Sequence, residues 1–423
     1  MKRNKKHENR VKKLIVACGL CAVILTVSTY AWFIGMKTVN VSAFNVEIAA
    51  IDGLSLSLSG ESDSWKSTVE INEDNYNSTY AGNTNSWGGE KGLIPMSSVG
   101  VIDTSSSRLT MFEKGSFTAT PGGYRIMASR VQNSGATEAN GYVAFDLFIK
   151  NLSGNYYYPE VDPKNEEAIY LTPESEVKVA ATGNNEENSG IENSVRVAFA
   201  QIGRVRADAA ASAIQGISCA GGSGVSVICA RTAQIWEPND TKHVKNAINW
   251  YNTSCKKRIA SDLTLPASYD GLCGAVTDGT AVPTYAVSGV ILESDRVDAY
   301  DGAKLNGYGT TISTTPADGK LLEFPYFTDS MKHLEGTARP TFITLAPNSV
   351  TKVRVYVYLE GQDVDNYDFA SLGKRISVAF GFTKERYYGD DIDYNKDNPN
   401  PGPDLNVEFP GLQSRPSTAT VTP

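Results

Sequence analysis

Histidine and serine are considered first, because their spacing identifies several classes of hydrolase. Outside the N-terminal segment the histidines are His243 and His333. Neither has a second histidine four residues away, which excludes the H-E-x-x-H zinc proteases. The loop Gly221–Val225 has Val where the G-x-S-x-G nucleophile elbow needs its last Gly. The sequence also lacks the glycine-rich phosphate-binding loops. We therefore predict a protein that is not an enzyme and that binds no cofactor.

Carboxylates could act as paired acids or as calcium ligands. The two acids of a glycosidase need only lie close in space, and we interpret Glu360 as an exposed acid at the end of a strand. Two acidic clusters could hold calcium: Asp391, Asp393, Asn395 and Asp397, and also Asp363, Asp365 and Asp368. In the first cluster Lys396 stands where a calcium loop requires Gly, and the second follows a strand, as a hairpin loop does. We predict no metal site, with calcium binding as the alternative.

Four cysteines lie within one stretch of the chain: Cys219, Cys229, Cys255 and Cys273. In an exported protein an even, clustered set favours two disulfides, and three connectivities are possible. The stretch has no C-x-x-C pair, and His243 is its only nearby histidine, so a tight zinc knuckle is excluded. Free thiols are the alternative.

The N-terminus has the three parts of a secretory signal. A basic stub precedes an apolar run at 14–27, and small residues end the segment at Ala31. We expect cleavage between Ala31 and Trp32. The alternative is a retained anchor, because residues 14–36 could just span ~30 Å of hydrocarbon as a helix. In both cases the basic stub stays inside, so the bulk of the chain is predicted to be secreted or on the cell surface.

The charge of the exported part limits its partners. Residues 1–31 carry seven basic side chains and one acidic one, so their removal changes the formal net charge from −8 to −14. An acidic surface repels nucleic acid phosphates and anionic lipid headgroups. We therefore predict no nucleic acid partner, and membrane contact only through the N-terminal segment if it is uncleaved.

Alternating apolar and polar residues predict strands with one buried face. In the strand at 353–360 the apolar positions are Val353, Val355, Val357 and Leu359, and the other face carries Arg354, Tyr356, Tyr358 and Glu360. The same pattern occurs in Tyr142–Lys150, Ser194–Ala200 and Ile376–Phe382. These distant segments must bury their apolar faces against one another, which favours an all-β fold, a jelly-roll-type two-sheet sandwich.

One segment has helical periodicity. After Pro238 the apolar residues Val244, Ala247, Ile248 and Tyr251 lie at helical spacing, and Asp240 or Thr241 could cap the free N–H groups. This helix lies within a predicted disulfide-stapled α+β subdomain at 203–283, inserted between two sandwich parts at 32–202 and 284–388. We also predict a long surface excursion at 62–92 and a disordered Asp/Asn/Pro-rich tail at 389–423.

The residues around the predicted cleavage site resemble a known family. The junction Ser28–Phe33, with short strands at Val46–Ile48 and Leu54–Leu58, resembles the start of the TasA/camelysin family of secreted bacterial proteins. The segment Ile376–Phe382 is similar to the closing strand of that family. The chain is longer than usual for the family, and the cysteine-bearing insert departs from it.

The resemblance implies a jelly-roll subunit that polymerises into matrix fibres, with a freed N-terminal segment completing the sheet of the next subunit. The candidate donor strand is 32–42, with Trp32, Ile34 and Met36 as anchors. Strand addition is also reasonable on physical grounds, without the resemblance, because the added strand pairs with the free N–H and C=O groups of an open sheet edge. The alternatives for this segment are an ordinary first strand or the end of a membrane helix.

We thus predict an exported structural protein of the cell surface or extracellular matrix, a filament subunit that self-associates and contacts other surface or matrix components. The alternative is a monomeric adhesin or glycan-binding module, suggested by the Tyr-rich strand faces and the stapled insert. A secreted hydrolase with an unfamiliar site is less favoured.

Overall fold

The computed structural model describes residues 44–50, 53–72, 74–76, 87, 92–114, 116–120, 123–128, 130–133, 138–153, 156–162, 165–179, 190–252, 276–282, 285–287, 297–298, 321–324, 326–335, 338–366 and 376–384. Four predictions lie outside these residues: the signal and its cleavage at Ala31, the donor strand with Trp32, Ile34 and Met36, the cysteines Cys255 and Cys273, and the tail at 389–423.

Strands dominate the described residues. They are β1 (Phe44–Ala50), β2 (Leu54–Ser57), β3 (Thr68–Asn72), β4 (Pro95–Ser97), β5 (Ile102–Asp103), β6 (Arg108–Leu109), β7 (Phe112–Glu113), β8 (Ser116–Thr120), β9 (Gly123–Ala128), β10 (Val143–Asn151), β11 (Glu167–Leu171), β12 (Glu176–Val179), β13 (Val195–Arg206), β14 (Ser226–Val227), β15 (Gln234–Glu237), β16 (Tyr285–Val287), β17 (Val297–Asp298), β18 (Leu321–Glu323), β19 (Phe327–Thr328), β20 (Ile343–Leu345), β21 (Ser349–Glu360) and β22 (Ile376–Thr383). The helices are α1 (Ala211–Gln215), α2 (Lys245–Trp250) and the 3₁₀ turns Ile191–Ser194 and Asp329–His333. Within the described ranges, no helix has the length and apolar character needed to cross a membrane.

The first large sheet has six strands in the order β20-β11-β22-β1-β3, and β12 also pairs with β22. Its central ladder is parallel and joins opposite ends of the described chain: Phe44 of β1 lies opposite Ile376 of β22. On its other side β1 pairs antiparallel with β3, where Asn45 faces Asn72. β1 is therefore an interior strand of this sheet.

The second large sheet has nine strands and is built around β13, β21 and β10. The long strands β13 and β21 pair antiparallel over most of their length, with an irregularity between Gln201 and Gly203. β10 pairs with the other edge of β21, and β2 and β15 continue the sheet outward. The strands predicted at Tyr142–Lys150, Ser194–Ala200 and Ile376–Phe382 are confirmed.

The two large sheets pack against each other through their apolar faces. One core cluster contains residues of β1 and β22 from the first sheet and of β10, β13 and β21 from the second. At its centre the ring of Phe199 lies edge-on to Phe342 and Phe380, with centroid distances of 5.0 Å in each case. Burial of this apolar surface is the main stabilising contribution. The all-β prediction with two large sheets is confirmed.

The outer face of β21 corrects a prediction. This strand was expected to be half-buried, yet all twelve of its residues are buried, including Tyr356 and Tyr358 at 0 % exposure. A second apolar cluster, to which Met96, Leu109 and Ile214 belong, covers this face. The alternation is present, but short strands and a helix from other parts of the chain, including β4, β6 and α1, cover the polar and aromatic side chains of the outer face.

The segment at 203–283 is not separate from the sandwich where it is described. Its strands β14 and β15 pair with β13 and so belong to the nine-stranded sheet. The boundary at 203 also divides β13, which continues to Arg206. The predicted surface excursion at 62–92 likewise contains β3, a strand of the first sheet whose Val69 and Ile71 reach the core. Its abundance of Asn and Ser concealed this short apolar alternation.

The predicted helix is present, but its cap is different. α2 begins at Lys245, and the N–H of Val244 donates to Asp365 Oδ1 at 3.0 Å. The carboxylate that serves this helix end is therefore supplied by a distant segment. The expected cap Asp240 instead accepts hydrogen bonds from Ser330, whose Oγ lies 2.9 Å from Asp240 Oδ2. Ala247 is buried, in agreement with the predicted apolar face.

Candidate functional site

The residues considered for catalysis or metal binding are dispersed. Ser223 is exposed in the turn between Cys219 and Cys229, and His333 is exposed at the end of a 3₁₀ turn. Across the described residues, no group of three or more His, Cys, Asp or Glu side chains is arranged to hold a metal ion. The acidic cluster at 391–397 lies outside them.

Two of the four cysteines that were predicted to form disulfides are bonded to each other. Cys219 and Cys229 form a disulfide with a Cα–Cα distance of 5.7 Å. Cys229 is buried and its Sγ lies 3.1 Å from the carbonyl oxygen of Ile202 in β13. The disulfide therefore fastens the loop before β14 to the nine-stranded sheet. The predicted second disulfide, between Cys255 and Cys273, lies outside the described residues.

Asp365 binds His243 instead of standing in an open calcium loop. His243 Nδ1 lies 2.8 Å from Asp365 Oδ2, and its Nε2 lies 3.0 Å from the carbonyl oxygen of Thr280. Burial alone would lower the pKa of His243, but the hydrogen bond and charge of Asp365 raise that pKa above its usual value. The pair therefore links the segment after β21 to the start of α2.

Glu360 was interpreted as exposed, and this is wrong. Its side chain is completely buried at the end of β21, and burial raises its pKa to about 8. Glu360 Oε1 accepts the N–H of Gln362 at 3.1 Å, and Oε2 accepts the hydroxyl of Tyr326 at 3.3 Å. The acid lies on the covered outer face of β21, which the alternating pattern of the sequence predicted to be exposed to solvent.

The charge of Arg196 lowers the pKa of this buried acid and so opposes part of the effect of burial. The Arg196 side chain is fully buried, and its Nη2 lies 2.5 Å from Glu237 Oε1 and 2.6 Å from Asp363 Oδ2. Arg196 is thus held by carboxylates from β15 and from the segment after β21. Asp363 therefore belongs to an ion pair instead of a calcium site.

Two further buried ionic clusters belong to the second sheet. Glu166 contacts both Arg204 and Arg231, with Arg204 Nη1 2.8 Å from Glu166 Oε1. On the other side of the sheet, Asp146 contacts Arg354 and Lys352. Sequence reasoning missed these clusters, since their members come from distant segments. The available signal was the presence of cations inside long apolar strands, where a charge must be paired.

The edge of the first sheet is the part of the described molecule relevant to assembly. β3 pairs with β1 on one side, and no described strand pairs with its other side. Val69 and Ile71 point into the core, while Glu70 is exposed. Glu70 lies directly opposite Glu47 of β1, which is also exposed. Like charges in directly opposed positions are unfavourable.

A scan against protein-family models and searches of curated proteins and of solved structures found no match for this chain. The likeness to the TasA/camelysin family therefore stays a prediction that is based on the short segments quoted above.

Proposed function

We propose that the chain is an exported structural subunit of the TasA/camelysin type that assembles into filaments by β-strand donation. Its sandwich is proposed to be of the jelly-roll type, since the neighbours β13, β21 and β10 come from distant parts of the chain. The disulfide between Cys219 and Cys229 supports a location outside the cytoplasmic membrane, where such bonds persist.

The observation that carries the proposal is the position of β1. It fills the place between β22 and β3, so a donor strand would have to pair at another sheet edge, and we propose that this edge belongs to the next subunit. The donor at 32–42 would extend about 35 Å as a strand, which is longer than the five-residue strand β3. A segment of this length can reach an edge on a neighbouring subunit.

The charges at β3 support its use as the acceptor edge. Glu47 and Glu70 oppose each other on the exposed face, and an added strand carrying a cation there would reduce their repulsion. In the donor, Lys37 has the opposite parity to the anchors Ile34 and Met36. With the anchors facing the core side, Lys37 faces the acidic side.

The glycan-binding alternative loses one of its two supports. The tyrosines that suggested an exposed aromatic face, Tyr356 and Tyr358, are completely buried. A ligand from solution cannot stack on these tyrosines while the second apolar cluster covers the outer face of β21. The other support, the stapled segment, lies partly inside the sheet through β14 and β15.

The test compares a chain that begins at Trp32 with one that begins at Phe44, by electron microscopy and analytical ultracentrifugation. We expect filaments from the first and folded monomers from the second. Glu70→Lys should slow filament growth, whereas Glu174→Lys, an equal charge change at an exposed turn, should not. Strict monomers of the Trp32 chain under all conditions would contradict the proposal.

A further inference from the structure

A second feature, independent of assembly, joins the two sheets at their ends. Lys384 directly follows β22, the last described strand of the first sheet, and Glu167 begins β11 in the same sheet. Asn151 ends β10 in the second sheet. The three side chains meet: Lys384 Nζ lies 3.1 Å from Asn151 Oδ1 and 3.3 Å from Glu167 Oε2.

Both the nitrogen and the oxygen of the Asn151 carboxamide have hydrogen-bond partners. Its Nδ2 donates to Glu167 Oε2 at 2.7 Å and to the carbonyl oxygen of Ala346 at 3.1 Å. Its Oδ1 lies 3.0 Å from Ser153 Oγ, and this hydroxyl also contacts Glu167 Oε2. Asn151 is completely buried, while the side chains of Lys384 and Glu167 are 19 % and 32 % exposed.

An ordinary salt bridge accounts for the contact between Lys384 and Glu167, but not for the arrangement around the amide. An amine lies beside a carboxamide, and one carboxylate touches both the amine and the amide nitrogen. A group that contacts both nucleophile and leaving group can move a proton from one to the other. Holding the reactants together within one folded chain removes much of the entropic barrier to their reaction.

We propose that Lys384 and Asn151 form an intramolecular isopeptide bond, with Glu167 as the catalytic carboxylate. Glu167 takes a proton from the Lys384 ammonium, and the freed Nζ attacks Cγ of Asn151. The hydroxyl of Ser153 donates to Oδ1 and stabilises the negative charge that develops there. The proton passes from Glu167 to Nδ2, the Cγ–Nδ2 bond breaks, and the departing ammonia carries away the second amine proton as ammonium.

The step needs no oxidant, reductant or water. One C–N bond forms and one breaks, and Glu167 ends in its starting state. The product is an amide that connects the end of β22 to the end of β10, and hence one sheet to the other. This bond closes the sandwich at the point where the chain leaves its last described strand.

The test is mass spectrometry of the full exported chain after its N-terminus has been sequenced. The wild-type protein should be lighter than its sequence mass by one ammonia, beyond the loss of hydrogen at disulfides. A tryptic digest should contain a branched peptide that joins the segments around Asn151 and Lys384. A full sequence mass with two separate linear peptides would overturn the proposal.

Variants assign the chemistry to the three residues. Lys384→Arg keeps the positive charge without an equivalent nucleophile, and Glu167→Gln keeps the size without the proton acceptor. Both should retain the ammonia and the linear peptides. Lys178→Arg is the matched control, since Lys178 pairs with Glu176 on the exposed surface and should leave the branched peptide intact. Ammonia loss that persists in Lys384→Arg would indicate succinimide formation at Asn151 and would also overturn the proposal.

Discussion

Arg354 and Asp146 form a bidentate ion pair inside the nine-stranded sheet. Arg354 Nε lies 2.7 Å from Asp146 Oδ1 and its Nη2 lies 3.1 Å from Oδ2, and the two residues oppose each other in the ladder between β10 and β21. Both are nearly or fully buried. Lys352 Nζ lies 3.1 Å from the same carboxylate. Asp146 therefore contacts both buried cations, while Glu138 Oε1 lies 3.7 Å from Arg354 Nη1 as a second, more distant carboxylate.

Asp146→Asn should strongly destabilise the fold. The change keeps the shape of the side chain but removes the carboxylate charge that contacts both Arg354 and Lys352, and breaking a buried pair from one side costs about 3–5 kcal/mol. Guanidinium unfolding measures the loss. The control is Asp208→Asn, whose partner Arg206 is exposed, and no measurable change is expected there. An Asp146→Asn protein with the wild-type unfolding midpoint would contradict the assignment.

Glu360 should make the protein less stable as the pH rises. Burial raises its pKa from 4.5 to about 8, so the folded chain holds this proton more tightly than the unfolded chain does. The contribution of Glu360 to the free energy of unfolding is fully present below about pH 4.5 and is lost as pH rises toward 8. Glu360→Gln should remove this slope.

Unfolding of the wild-type protein and of Glu360→Gln, measured from pH 5 to 8, isolates this group. Other titrating residues, including His243 and its partner Asp365, are common to both proteins and cancel in the difference. The variant should gain stability over the wild type as pH increases. Parallel curves across the whole range would show that Glu360 ionises normally in the folded state.

Substitutions at two glycines distinguish the cost of backbone strain from the cost of close packing. Gly53 and Gly100 have nearly equal positive φ angles, +78° and +80°, which disfavour any residue with a Cβ. A Cβ at Gly53 meets nothing within 4 Å, whereas at Gly100 it would lie 2.8 Å from the carbonyl oxygen of Ala233. Gly53→Ala should cost ~1 kcal/mol from strain, and Gly100→Ala a further ~1–3 kcal/mol from overpacking. Equal thermal midpoints for the two variants would contradict this ranking.

Loss of the disulfide should destabilise the chain moderately. Cys219 and Cys229 are separated by 10 positions, and closing so short a loop contributes about 2–3 kcal/mol through the unfolded state. Urea unfolding of the double variant Cys219→Ser with Cys229→Ala should show this loss under non-reducing conditions. In excess reductant the wild type and the variant should unfold at similar urea concentrations. A reductant-independent difference would point to packing around Cys229 instead of the covalent bond.

The fold could be predicted from the sequence where alternation was strong. The strands at Val143–Asn151 and Ile376–Thr383 alternate cleanly, and their apolar faces meet in the core as expected. The burial of the outer face of β21 could not be predicted, because it depends on β4, β6 and α1, which come from other parts of the chain. Nothing in the residues around Tyr356 indicates that these elements cover it.

Polar contacts between distant segments were the least predictable feature. The N–H of Val244, the residue before α2, donates to Asp365 and not to the predicted Asp240, because tertiary folding brings Asp365 to this end of the helix. Asn151, Glu167 and Lys384 form no motif in the sequence, since each lies at the end of a different strand. Charged residues within apolar strands, such as Arg196 and Arg204, show that partners must exist but do not identify them.

The parallel ladder between β1 and β22 has a consequence for the order of folding. β1 can form its antiparallel contact with β3 early, but its partner β22 is the last described strand along the chain. Contacts between such distant segments form slowly. A chain that is still being synthesised therefore keeps one side of β1 unpaired until β22 has been added. During that interval the incomplete sheet is the part of the nascent protein most exposed to unwanted pairing.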